Sequence, residues 1–301
     1  MSSFVLTLSR PYIVSDIVVL HTDTSGTMNH MTIEDRVLIE LHRAAIDAGR
    51  RGIAVPSVDL ARAATDGLDR TAVEEATRRL VKARRVTRVR RDLLVLPDAA
   101  GLIGVGLADI VDVIAPDPYL ITGGRALEQS ELTDQHYFGL TVLVPKEMSP
   151  VEYRGEKATF FVTDLSNICG ATDGRGPRFA RPERALVDVL SHPRFGVSLT
   201  QAADALIRAR ADDRDFLVRL VDAVRDYGAG ARNHGARAAA RRVGYVVERI
   251  FGPKEAEPFR ALIGPNRAPV PLRPGGRRHT GFVDPVWRVV VNATVEPELV
   301  P

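Results

Sequence analysis

The sequence predicts an α+β protein in two parts: an N-terminal winged helix-turn-helix domain, then a larger mixed α+β domain. Three observations point there. Between Thr32 and Leu96 the chain reads as helix, short helix, turn, longer helix and hairpin, the order of a winged helix-turn-helix. Within it, Arg70 to Arg91 holds nine basic residues against two acidic ones. Beyond Pro97, strand-like apolar runs alternate with amphipathic helices.

The elements follow in order. Residues 1–30 end in the polar, breaker-containing stretch TDTSGTMNHM and are expected to form a leader without fixed structure. Thr32 is a good helix cap, with Glu34 and Asp35 in the first turn. Ile33, Val37, Leu38, Leu41, Ala44, Ala45 and Ala48 recur at helical spacing, and Gly49 closes the helix. Ser57 is placed to cap a short second helix over Val58, Leu60, Ala61 and Ala64. DGLD makes a turn, and Asp69 can cap a third helix, RTAVEEATRRLVKA, with a stripe at Val73, Ala76, Thr77 and Leu80. VTRVR and LLVLP then flank RD, a two-residue reversal.

PDAAG, from Pro97 to Gly101, reads as a short hinge, giving domains at 31–97 and 98–301. In the second domain GLADIVDVIAP reads as a helix, PYLIT as a strand and GGRALEQSEL as a helix. YFGLTVLVP and KATFFVTDL read as strands, followed by helices around 181–191, 198–210, 213–228 and 236–251. A tail rich in proline and glycine leads to a last strand, PVWRVVVNA.

A length of 301 residues allows about two domains at the usual ~150 residues each. Only four of the 41 basic residues are lysine, so arginine is common throughout and its clustering, not its abundance, carries information. The single cysteine, Cys169, excludes an intrachain disulfide and is expected in a core. No apolar run reaches the ~20 residues of a membrane span. The N-terminus lacks a basic region followed by an unbroken apolar stretch, so the chain is expected in the cytoplasm.

On the third helix, removing the apolar stripe leaves Arg70, Thr71, Glu74, Glu75, Arg78, Arg79 and Lys82 facing solvent. The hairpin adds Arg88, Arg90 and Arg91, with Arg84 and Arg85 between. Against duplex DNA, Arg84, Arg85, Arg88, Arg90 and Arg91 suit phosphates, which give affinity and register. Arg70, Thr71, Glu75, Arg78 and Arg79 sit where side chains read base edges. The bland alternative is a solvated helix face, and winged helices also serve as protein–protein modules.

The second domain offers no chemistry of its own. Its histidines, among them His136, His192 and His279, do not pair at ligand spacing, and there is no HExxH. GLIGVGLAD lacks the GxGxxG spacing, and TGGRAL lacks the Lys-Ser/Thr of a phosphate loop. No cofactor, metal or enzymatic activity is expected. The helix 236–251 combines an apolar face (Ala239, Val243, Val246, Val247, Ile250) with Arg237, Arg241, Arg242 and Arg249, and Arg232 just upstream. It reads either as an ordinary amphipathic helix or as a second basic patch facing an anion or RNA.

Four segments together resemble the AbiEi family of type IV antitoxins: PYLITGGRALEQSELTDQHYFGLTVLVP, FARPERALVDVLSHP, ARRVGYVVERIFG and PLRPGGRRHTGFVDPVWRVVVNA. The likeness spans about residues 32–295. Arg273 departs from it, standing where the family pattern carries an acidic residue. The resemblance implies a winged helix joined to an α+β antitoxin domain. It also implies an autorepressor that binds inverted repeats upstream of its operon and neutralises a nucleotidyltransferase toxin, with or without stable contact. The alternative left open is neutralisation by direct contact, the winged helix being an interaction module.

Overall fold

The computed structural model describes residues 31–47, 49, 52–54, 69–97, 104–174, 176–192, 195–227, 234–264, 268–274 and 281–299. They divide into two units, one up to Val105 and one from Gly106, against the boundary of 97/98 expected from sequence. The leader, the helix expected after Ser57, the hinge residues 98–101, Arg232 and His279 lie outside the described residues.

In the first unit, α1 spans Ile33–Asp47. The Thr32 hydroxyl accepts from the Asp35 backbone N–H at 3.2 Å, satisfying one of the donors a helix start leaves open. Val37, Leu41 and Ala45 form its buried stripe, narrower than the seven apolar positions suggest. A strand that the sequence reading did not include, β1 (Ile53–Ala54), follows. Gly52 precedes it with φ +81°, and its carbonyl accepts from the Leu96 N–H at 2.8 Å. A Cβ at Gly52 would lie 3.2 Å from the Leu96 carbonyl oxygen, so glycine suits both the turn and the close approach.

Next comes α2 (Arg70–Lys82), burying Val73, Ala76, Thr77 and Leu80, the stripe read from the sequence. The Thr77 hydroxyl donates to the Val73 carbonyl at 2.8 Å, which removes the penalty for its burial. Asp69 holds the extended backbone of a cap, but its side chain makes no cap hydrogen bond. At the other end Arg84 N–H donates to the Val81 carbonyl and Arg85 N–H to the Leu80 carbonyl, the paired bonds of a Schellman terminus. Arg84 occupies its left-handed position, φ +56°, where glycine is usual.

The hairpin is β2 (Thr87–Arg90) and β3 (Leu93–Val95), with a register irregularity between Arg88 and Arg90. β3 is the middle strand, paired antiparallel with both β2 and β1. Val37, Leu41, Ala45, Val73, Ala76, Leu80, Val86, Leu94 and Leu96 form one shared core. Both helices and the sheet are thereby fixed to one another.

The second unit opens with α3 (Leu107–Ile114), β4 (Leu120–Thr122), α4 (Gly124–Gln129), β5 (Gly139–Val144), β6 (Val151–Tyr153) and β7 (Glu156–Val162). The strand order is β4-β5-β7-β6, with β5 and β7 parallel and both edge strands antiparallel. The short strand β6 was not read from sequence. Arg154 (φ +52°) and Gly155 (φ +82°) turn it into β7, the pair of positive φ angles that a type I′ hairpin turn requires.

Helices follow: α5 (Pro182–Ser191), α6 (Leu199–Asp212), α7 (Phe216–Asp226), α8 (His234–Phe251) and α9 (Pro253–Arg260). All of α5 from Glu183 to Ser191 is buried, and α4, α6, α7, α8 and strand β4 pack against it. The sequence reading placed no helix at α9, because Gly252, Pro253 and Pro258 are breakers; Ala256 and Phe259, both fully buried, hold it in place. A second small sheet, β8 (Val270–Pro271), β9 (Phe282–Val283) and β10 (Val289–Val291), has β10 in the middle. Among the described residues no helix is long and apolar enough to cross a membrane.

Candidate nucleic-acid interface

All eleven residues singled out on the third helix and hairpin are exposed: Arg70, Thr71, Glu75, Arg78, Arg79, Lys82, Arg84, Arg85, Arg88, Arg90 and Arg91. The stripe on α2 decides this. With 3.6 residues per turn, burying Val73, Ala76, Thr77 and Leu80 turns Thr71, Arg78 and Lys82 to the opposite side. On β2 the alternation of a strand leaves Arg88 and Arg90 exposed while Thr87 and Val89 are half-buried. Arg91 and Asp92 form the reversal itself.

The cations differ in what already holds them, a distinction that composition did not carry. Arg79 donates to Glu34 of α1 at 2.8 Å and lies 3.8 Å from Glu75. Arg85 donates to Asp35 at 2.9 Å. Hydrogen bonds from the Thr32 hydroxyl and from Arg85 hold the Asp35 carboxyl below its usual pKa. Arg70 pairs with Glu74 at 3.1 Å, and Arg90 lies 3.8 Å from Asp92. Among the described residues no carboxylate pairs with Arg78, Lys82, Arg84, Arg88 or Arg91. Arg79 of α2 and Arg85 just beyond it therefore tie this segment to α1, and five cations have no carboxylate partner among the described residues. Such exposed pairs are worth only about 0–1 kcal/mol each, so they orient side chains more than they stabilise.

The second basic patch is corrected by the fold. Arg241 and Arg242 are 2% and 8% exposed, Arg237 is half-buried, and Arg249 alone of the described four is exposed. α8 packs against α5, α6, α7, α9 and β10, so Ala239 to Val247 are buried on every side and no basic face remains. Arg242 instead donates to the carbonyls of Pro271 at 2.8 Å and Ser191 at 3.5 Å.

Arg184 and Asp188, one turn apart on α5, form an ion pair that is deeply buried at 3% and 1% side-chain exposure. Arg184 Nε donates to Asp188 at 3.0 Å, and the Thr122 hydroxyl donates to the same carboxylate at 2.6 Å. The guanidinium also reaches the Asn167 carbonyl at 2.8 Å and Cys169 Sγ at 3.1 Å, and lies 4.9 Å from the centre of the Tyr227 ring. Burial opposes the Arg184 charge, and Asp188 more than offsets it, leaving its pKa above the usual value. Cys169 is half-buried beside this pair. His192 Nε2 lies 2.8 Å from the Tyr227 hydroxyl, and His136 lies 2.6 Å from Glu128, so both histidines have protein partners. Among the described residues no group of three His, Cys, Asp or Glu side chains could hold a metal.

A cleft of about 400 Å³ lies at the start of α6, rimmed by Ser198, Thr200, Arg273 and Asn292. The Arg273 backbone is clamped there by Asn292, which accepts from its N–H at 2.9 Å and donates to its carbonyl at 3.1 Å. Its side chain is exposed.

No family model and no curated protein matches the chain. Among solved structures, the crystal structure of the RV2827C protein from Mycobacterium tuberculosis superposes with a TM-score of 0.58 at 15% identity. The match covers 86% of this chain and 91% of that one. The likeness is one of fold.

Proposed function

We propose that the chain is a DNA-binding transcriptional autorepressor in the cytoplasm and the antitoxin of a type IV toxin–antitoxin system. The observation that carries the DNA-binding reading is the face of α2 opposite its core stripe. Thr71, Arg78 and Lys82 lie there exposed, and the hairpin arginines belong to the same folded unit. A helix of 13 residues is about 20 Å long and suits a major groove. Arg88 and Arg91 on the hairpin then reach phosphates. Two protomers on an inverted repeat place half-site centres about 34–36 Å apart if they occupy adjacent turns. The antitoxin role rests on the AbiEi resemblance alone.

The test is a gel shift on the native upstream region against random duplex. Arg78→Ala should narrow the preference for the operator by about 1–3 kcal/mol, the worth of a base contact. Equal weakening on both duplexes would remove Arg78 from base reading. If the chain co-purifies with the adjacent gene's product without DNA, neutralisation by direct contact replaces the type IV arrangement.

A further inference from the structure

We propose that the cleft at the start of α6 binds a small organic acid: a single carboxylate on an uncharged, largely aliphatic body. The site lies wholly in the second unit and does not depend on the DNA-binding reading.

The cleft, of about 400 Å³, is formed by the end of α5, the start of α6 and the residues that follow β8 and β10. That volume is in the range of cavities that hold small ligands. Its floor is apolar: Val189 and Leu190 of α5 and Leu272 beyond β8 are core residues, and Val197 is half-buried. Its rim is polar, with Ser198, Thr200, Thr294 and Arg273.

Among the described residues that line the cleft, Arg273 carries the single charge. Asn292 holds its backbone at both the N–H and the carbonyl, so the side chain starts from a fixed point. The guanidinium is exposed and has no hydrogen-bond or ion-pair partner among the described residues. Ser198 and Gln201 cap each other at 2.8 and 3.1 Å, which already closes the end of α6; the preference for an anion therefore rests on Arg273 and not on the helix. That cap uses the Ser198 oxygen as an acceptor and leaves its O–H to donate. The Thr200 and Thr294 hydroxyls have no partner among the described residues.

These groups select by charge and by shape. One guanidinium fork matches the two oxygens of one carboxylate, and the hydroxyls add donors beside it. An amino acid would bring an ammonium, for which the described lining holds no carboxylate. A nucleotide would bring several negative charges against one cation. The apolar floor accepts hydrocarbon and penalises a second charge. A monocarboxylate with an aliphatic body uses the fork, the hydroxyls and the floor together.

Calorimetry on the full chain at constant ionic strength, with acetate, butyrate, hexanoate and octanoate, tests this. Hexanoate should bind saturably, and affinity should rise by up to about fourfold per added methylene until the floor is covered. Hexylamine, with the same chain and the opposite charge, should not bind. Arg273→Gln should weaken hexanoate by about tenfold or more. Thr200→Phe, which crowds the cleft and leaves the charge, should weaken it as well. Arg249→Gln, exposed on α8 and outside the cleft, should change nothing. No saturable binding by any of the acids, equal binding of hexanoate and hexylamine, or an affinity that ignores chain length overturns the proposal. So does an unchanged affinity in Arg273→Gln; if that variant does not fold, Thr200→Phe with unchanged affinity overturns it instead.

Discussion

The salt dependence of DNA binding follows from which cations the fold leaves unpaired. Arg78, Lys82, Arg84, Arg88 and Arg91 have no carboxylate partner among the described residues, and with Arg78 turned to base edges four candidate phosphate contacts per protomer are left. A dimer on an inverted repeat then neutralises at most about eight phosphates, and log K should fall with log salt at a slope of about −7. Between about 50 and 200 mM salt that is a loss of about 10⁴-fold. Replacing Arg88 and Arg91 by glutamine removes four contacts per dimer, so the slope should relax to about −4 and the loss to about 10²-fold. The control removes paired charges together. Glu34→Gln with Arg79→Gln, and Asp35→Asn with Arg85→Gln, delete two bridges of 2.8 and 2.9 Å without changing net charge, so the slope should stay near wild type. Fluorescence anisotropy across a salt series measures all three proteins. If the two sets relax the slope equally, the distinction between paired and unpaired arginines carries no weight. A flat response in wild type would refute DNA binding through this surface.

Four further outcomes follow from the geometry. Arg84→Gly should stabilise the chain by about 1 kcal/mol in denaturant melts, because φ +56° strains an arginine and not a glycine, while weakening DNA binding through the lost cation. Asp188→Ala should cost about 3–5 kcal/mol by stranding a buried guanidinium, and pairing it with Arg184→Met should recover much of that in the same melts. Gly244→Ala should cost about 1–3 kcal/mol, since the new methyl group meets the Trp287 ring. Burial lowers the His42 pKa from its usual 6.5, so the unfolded chain binds more protons and stability should drop as pH falls below 6.5. Unfolding at pH 8 and pH 5 should show a smaller drop for His42→Gln than for wild type.

Sequence alone determined the helices whose burial is one-sided. The α2 stripe of Val73, Ala76, Thr77 and Leu80 came directly from 3.6-residue spacing, and so did the exposure of every arginine opposite it. Its sheet was half legible: the hairpin flanks RD, but β1, two residues long, carries no periodicity to read. The β6 hairpin had a signal in the Arg154-Gly155 pair, whereas α9 was hidden by prolines that only the burial of Phe259 and Ala256 outweighs.

Tertiary structure decided what each charge faces. Arg241 and Arg242 fit the polar side of an amphipathic pattern, yet other elements close over that side and bury them. The Arg79–Glu34 and Arg85–Asp35 bridges span 45 and 50 residues of sequence. The physical reason is range: periodicity records the one face a helix must hide, while partners brought together by folding leave no mark on local spacing.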